Sequence, residues 1–153
     1  MSKPYNEANM ENHWLDCGFR VDAEDLMIGD LVVAICVGEG RFNHYHKVDY
    51  ETIRRVFLQI CNDDYQMVVA PIPLTDAILK RIGFEYYHKN FAALDRESPF
   101  QLEMIEWPNE SGIGLWMVGG LIKIRFVHEL QNAMRMAGIH KYIDIDDIRK
   151  DEP

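Results

Sequence analysis

The segment YQMVVAPIPLTDAILKRIGF, residues 65–84, constrains the fold more than any other part of the chain. YQMVVAPI reads as a short apolar strand. Pro71 and Pro73 end it, because neither has an N–H to give to a sheet ladder. Thr75 is then placed as an N-cap, and Asp76 stands where a helix dipole favours an anion. Leu74 before the cap and Leu79 four residues into the helix have the spacing of a hydrophobic staple. Lys80 and Arg81 occupy the last turn, and Gly83 supplies the left-handed residue that closes a helix. The pattern predicts a helix over 76–82 directly after a strand.

The flanking segments supply the rest. Leu31 to Val37 is a continuous apolar run of strand length, GEGR is a turn, and FNHYHKV returns as a partner strand. In DYETIRRVFLQIC, residues 49–61, Ile53, Val56, Phe57 and Ile60 have helical spacing and Asp49 suits an N-cap. The same β-branched and aromatic residues also suit a strand, so both readings stay open. FQLEMIEW alternates through Phe100, Leu102 and Met104, and WPNESG turns. IGLWMV and LIKIRF flank Gly119-Gly120, a hairpin signal. Ile122, Ile124 and Phe126 are expected on one face of the last of these strands, and Lys123 and Arg125 on the other. VHELQNAMRMAG follows as a helix ending at Gly138, and KYIDIDDI reads as a final strand. The expected architecture is α+β: a small, mainly antiparallel β-sheet or open barrel packed by two or three short helices. Residues 1–22 read as an N-terminal arm, 23–148 as one globular domain and 149–153 as a frayed tail.

Composition narrows function. The chain has 153 residues, enough for a real core, and 48% of them are hydrophobic. Its 25 acidic and 16 basic residues give a net charge of -9. Nucleic-acid backbones and anionic membranes are matched by basic faces, so neither is an expected partner. A protein partner is expected, and homo-oligomerisation is compatible with the sequence. Cys17, Cys36 and Cys61 are odd in number, far apart and without a CxxC, which argues against a disulfide framework and a zinc ribbon. The N-terminal MSKPYNEANMENHW lacks the apolar region of a signal peptide, and no apolar run approaches ~18 residues. The expected location is the cytoplasm.

Three segments carry residues of chemical interest. His128-Glu129 opens like the HExxH helix of zinc proteases, in which two His at i and i+4 hold the metal. Asn132 stands at the second His position, and its uncharged amide is a poor zinc ligand. His140 is twelve residues away, across a Gly break. Val127, Leu130, Met134 and Ala137 instead form an apolar face, with His128, Asn132 and Arg135 expected on a solvated side. In NHYHK, His44 and His46 are two apart and point the same way on a strand, with Asp49 and Glu51 nearby. A metal site would need further ligands, so a polar strand face is the expectation. Asp144, Asp146 and Asp147 crowd one segment, but a calcium loop needs Gly at position six and Glu at twelve. Arg149 stands at the sixth, and the sequence given stops before a twelfth. These aspartates read as an acidic surface. No Walker loop, GxGxxG or GxSxG is present. No catalytic, cofactor-binding or metal residue is assigned, and no cofactor is expected. Tyr86, Tyr87, Trp107 and Trp116 fit core and surface equally.

The order of DLMIGDLV, PIPLTDAILKRIGF and IRFVHELQNAMRMAG resembles a set of small proteins from gut Bacteroidetes genomes and their phages and prophages. The pattern of that set is an LRIGN-like opening, PIPLTxxILxxxGF, then VHxLQN. The matching positions are Leu26 and Ile28 to Asp30; Pro71 to Thr75, Ile78, Leu79, Gly83 and Phe84; and Val127, His128 and Leu130 to Asn132. Residues 25–138 are covered; the N-terminal arm and VDYETIRRVFLQIC depart from the pattern. The set has no established activity, so the resemblance implies no catalytic role. It does imply a mobile-element context, and it makes His128 a fold position rather than half of a zinc motif. The expectation is a non-enzymatic accessory protein that binds another protein, such as a phage- or prophage-encoded modulator of a host or defence protein with an acidic contact face. The alternatives are a metal-binding protein or enzyme using His44, His46 or His128, and a structural component of a phage or other assembly.

Overall fold

A computed structural model describes residues 21, 25–37, 42–57, 66–108 and 113–149. The described residues fall into two compact units, one up to Ile72 and one from Pro73 to Arg149. Among the described residues this is a small α+β fold with two open antiparallel sheets, of three and five strands, and four helices.

In the first unit β1 (Leu31–Val37) is the central strand, flanked by β2 (Phe42–Lys47) and β3 (Gln66–Pro71), both antiparallel to it. Leu31 to Ala34 are almost completely buried, as a continuous apolar run in mid-sheet should be. The chain enters β1 through a tight turn in MIGD. Gly29 adopts φ 95, which an L side chain would resist. The buried Asp30 carboxylate accepts the Met27 N–H at 2.8 Å. The Gly29 N–H reaches the Val48 carbonyl at 2.7 Å, and the Val48 N–H reaches that of Asp30 at 2.8 Å. Residues 50–57 of the ambiguous segment form helix α1 (Tyr50–Phe57). Asp49 caps it, taking the Thr52 N–H on its carboxylate at 2.8 Å. Val56 and Ile53 of α1 join Val32, Val48 and Val69 in the core. Val21, at the end of the expected arm, packs in the same core and donates its N–H to the Val69 carbonyl at 3.0 Å. The rest of that arm, with Trp14 and Cys17, lies outside the described residues, as do the GEGR turn, residues 58–65 with Cys61, and residues 150–153 of the tail.

The second unit opens with helix α2 (Asp76–Ile82), at the expected bounds. The Thr75 hydroxyl accepts the Ile78 N–H at 3.2 Å. Gly83, at φ 115, ends the helix in a Schellman turn: its N–H reaches the Lys80 carbonyl at 3.1 Å and the Phe84 N–H that of Leu79 at 2.9 Å. A meander follows: β4 (Glu85–Tyr87), β5 (Phe91–Ala93), β6 (Leu102–Glu106), β7 (Leu115–Val118) and β8 (Ile122–Ile124), each antiparallel to the next. The register puts Leu102 opposite Val118, and Met104 opposite Trp116 and Trp116 opposite Ile124, so this row forms the buried face. Gly119 and Gly120 both have positive φ, 60 and 73, as a type I′ turn requires, and the Leu121 N–H bonds back to Val118. The register then pairs Val118 with Ile122, and leaves Leu121 outside the ladder and Ile122 partly exposed.

Helix α3 (Val127–Met136) buries Val127, Leu130 and Met134 as expected. Ala137 is exposed, and Ala133, Gln131 and His128 are buried in its stead. Gly138, at φ 74, closes α3 in a second Schellman turn, with the Ile139 N–H on the Met134 carbonyl at 2.8 Å. The expected final strand is instead helix α4 (Ile145–Arg149). Asp144 accepts the Asp146 N–H at 3.2 Å, and Asp147 returns its carboxylate to the Asp144 N–H at 3.1 Å. This reciprocal capping outweighs the apolar alternation of Ile143 and Ile145. The Arg81 guanidinium bonds the carbonyls of Asp147 and Ile148 at 2.6 and 3.0 Å, at the C-terminal end of α4.

Gly114 is fixed by packing rather than by φ. A Cβ there would stand 2.8 Å from the ring edge of Trp116, which is fully buried. Gly114→Ala is expected to cost about 1–3 kcal/mol, because the indole has no free space to move into. A urea denaturation series checks this; a loss below about 0.5 kcal/mol would refute the packing argument.

Candidate functional site

His44 and His46 point to the same face of β2, as their spacing predicts, but that face is not a free polar surface. His44 is in register with Ala34 and Val69, and His46 with Val32 and Pro71, so both share the face that α1 packs against. Their rings meet edge to face at 5.5 Å. His46 Nε2 lies 2.6 Å from the Thr52 hydroxyl, which is itself 2.7 Å from the Asp49 carboxylate. Thr52 is buried and also takes the Asp49 N–H at 3.2 Å. A hydroxyl has one proton. If Asp49 receives it, His46 Nε2 is the donor, and the chain runs imidazole to hydroxyl to carboxylate. Burial first, then the neighbouring His44, hold His46 below the ordinary value of 6.5, while Asp49 pulls the other way. The Thr52 hydroxyl and N–H together hold the Asp49 carboxyl below its ordinary value. Thr52 cannot attack a substrate while its oxygen is saturated by three partners, so the arrangement secures the start of α1. Thr52 was not singled out in the sequence, although D-x-x-T before an apolar helix is a capping signal.

His128 and Glu129 divide between packing and capping. His128 is buried and stacks on Phe126, with centroids 6.0 Å apart and planes at 10°, so it does not lie on the solvated side of α3. The Glu129 carboxylate turns back to accept the N–H groups of Arg125 and Phe126 at 3.0 and 3.1 Å. Phe126 has no side-chain acceptor, so Glu129 alone supplies the side-chain half of the cap. The Asn132 amide oxygen takes the Arg135 guanidinium at 2.6 Å, and His140 is exposed beyond the helix. The structure does not bring His128 and His140 together as a ligand pair. Among the described residues no group of three His, Cys, Asp or Glu side chains is placed to hold a metal ion.

A different feature in the second unit has the shape of a binding site. An open groove of about 570 Å³ lies between α2 and the start of the meander. Asp76 and Lys80, four apart on one face of α2, line it. Phe84, Glu85, Tyr86, Lys89 and Trp107 complete the lining. The Tyr86 hydroxyl donates to Asp76 at 2.5 Å, fixing the ring. Burial and this bond push the phenol well above its ordinary value, so it stays a neutral donor. Trp107 is 62% exposed, whereas Trp116 is fully buried, which separates two aromatics that the sequence could not. None of the sequence's histidine candidates lines this groove.

No protein-family model, curated protein or solved structure matches this chain. Among the described residues no helix is long and apolar enough to cross a membrane.

Two measurements test these assignments. A group whose folded value lies below 6.5 binds fewer protons folded than unfolded. Its contribution to stability is therefore complete above pH 6.5 and falls as pH drops towards the folded value. Between about pH 7.5 and about pH 5 the urea midpoint of the wild type is expected to fall more than that of His46→Gln; equal slopes would refute the assignment. At Glu129, Gln can still accept the two N–H bonds but Ala cannot. Glu129→Gln should be nearly neutral, and Glu129→Ala should cost about 1 kcal/mol by thermal denaturation.

Proposed function

We propose that this chain is a non-enzymatic accessory protein that acts by binding another protein. In its sharper form it is a phage- or prophage-encoded modulator of a host or defence protein. The observation that carries the reading is the outer face of α1. Tyr50 and Phe57 are 73% and 72% exposed, seven residues apart and so nearly in line along the helix. Arg54 lies between them on the same side, while Thr52 and Val56 are buried on the other. Two large aromatics flanking an Arg are the composition that dominates binding energy at protein interfaces. Leaving two aromatic rings in water sacrifices roughly 1.5–3 kcal/mol each relative to burial, which a partner would recover.

The net charge of -9 supports the same reading, since it steers a basic partner and disfavours polyanions. The resemblance of the MIGD, PIPLT and VHELQN segments to phage- and prophage-encoded proteins supports the context. The test is a pull-down from host lysate at low and high salt, run in parallel with Tyr50→Ala/Phe57→Ala. One partner should be held by the wild type, more weakly at high salt, and at least about tenfold less by the double variant. Identical profiles for the two proteins, with circular dichroism showing both folded, would sink the proposed face.

A further inference from the structure

The groove of the second unit belongs to a different unit from the α1 face and offers a different chemistry. Its lining carries two ammonium groups, Lys80 and Lys89, and two carboxylates, Asp76 and Glu85. The local charge is balanced, in a chain that is otherwise acidic. A polyanion such as a nucleotide would meet two cations, two carboxylates and a net charge of -9 around them. A cation alone would leave both lysines without a counter-charge. A ligand carrying one charge of each sign matches the lining.

The rest of the lining selects what joins the charges. Trp107 presents an exposed indole to the groove, and the Tyr86 ring is clamped through its hydroxyl to Asp76. Phe84, almost fully buried, underlies the lining and offers little surface of its own. Aromatic walls favour an aromatic ring, by stacked or edge-to-face contact. The volume, about 570 Å³, is within the range of sites for small organic ligands. We propose that this groove binds a small zwitterion with an aromatic ring, of the aromatic α-amino acid class. The carboxylate of the ligand meets Lys80 and Lys89, its ammonium meets Asp76 and Glu85, and its ring stacks on Trp107. No bond is made or broken.

Calorimetric titration of the full chain with L-phenylalanine tests this, beside 3-phenylpropionate, which lacks the ammonium, and phenethylamine, which lacks the carboxylate. The zwitterion should bind at least about tenfold tighter than either analogue, the effect of losing one charged hydrogen-bonded pair. Trp107→Ala should abolish binding, and Lys80→Met/Lys89→Met should remove the preference over phenethylamine. Both variants leave the core intact, and circular dichroism verifies it. Equal affinity for all three ligands, or no saturation with L-phenylalanine at about 10 mM, would overturn the proposal. The Trp107 variant leaves Tyr50 and Phe57 untouched, so failure here and failure of the α1 face are separate results.

Discussion

The second unit depends on one backbone pairing. Leu74 donates its N–H to the Arg125 carbonyl at 2.9 Å, and Pro73 and Phe126 form the adjoining antiparallel bridge. Proline has no N–H, so the bond has to come from Leu74. Everything between these two points in sequence, including α2 and the five-stranded meander, is a loop closed by this contact. Closing so long a loop costs entropy, and the buried Leu74, Leu102 and Trp116 supply the apolar burial that offsets it. Both helices that follow, α2 and α3, begin within two residues of the pairing, at Asp76 and Val127. Their caps, Thr75 and Glu129, act next to the same bridge. The position of Asp76, and with it the clamp on Tyr86, inherits its geometry from here.

Five of the 25 acidic residues do local work at turns and helix starts. Asp30 holds the turn into β1, Asp49 caps α1, Glu129 caps α3, and Asp144 and Asp147 cap each other's turn at α4. In each case the carboxylate accepts a backbone N–H that would otherwise lack a partner. This accounts for the two segments that looked most like chemistry. Glu129 is the capping residue of a helix that begins with a buried His, and the DIDDI aspartates are helix-start residues placed where the dipole favours anions.

Legibility followed the range of the interactions. Helix 76–82 was readable to the residue because its cap, dipole charges and closing glycine all lie within ten residues. The Gly119-Gly120 hairpin was readable for the same reason. The segment from Asp49 onward was ambiguous in apolar pattern alone, and the Asp49–Thr52 reciprocity decided it for helix. The helix at 145–149 carried the same kind of signal in Asp144 and Asp147, but the alternation of Ile143 and Ile145 masked it. Helical periodicity puts His128 on the solvated side, but it is buried and stacks on Phe126, a neighbour outside the helix on which periodicity does not report. The groove was illegible throughout. Asp76, Tyr86 and Trp107 are brought together only by the path of the chain around the meander.

The same limit explains why aromatic residues divide so unevenly. Trp116 lies in mid-strand, in register with Met104 and Ile124, where the ladder gives it two apolar neighbours on a buried face. Trp107 comes just after β6, beyond the register shift between Met104 and Glu106. A bulge of this kind adds a residue on one strand and re-aims the side chains that follow. Ile105, at the shift, is 46% exposed and Trp107 62%, so the irregularity coincides with the change from buried to open surface. Had the ladder continued in register, the alternation set by Leu102 and Met104 would have put Glu106 on the buried face. The bulge keeps that carboxylate in water, and the segment that leaves it carries an indole to the groove.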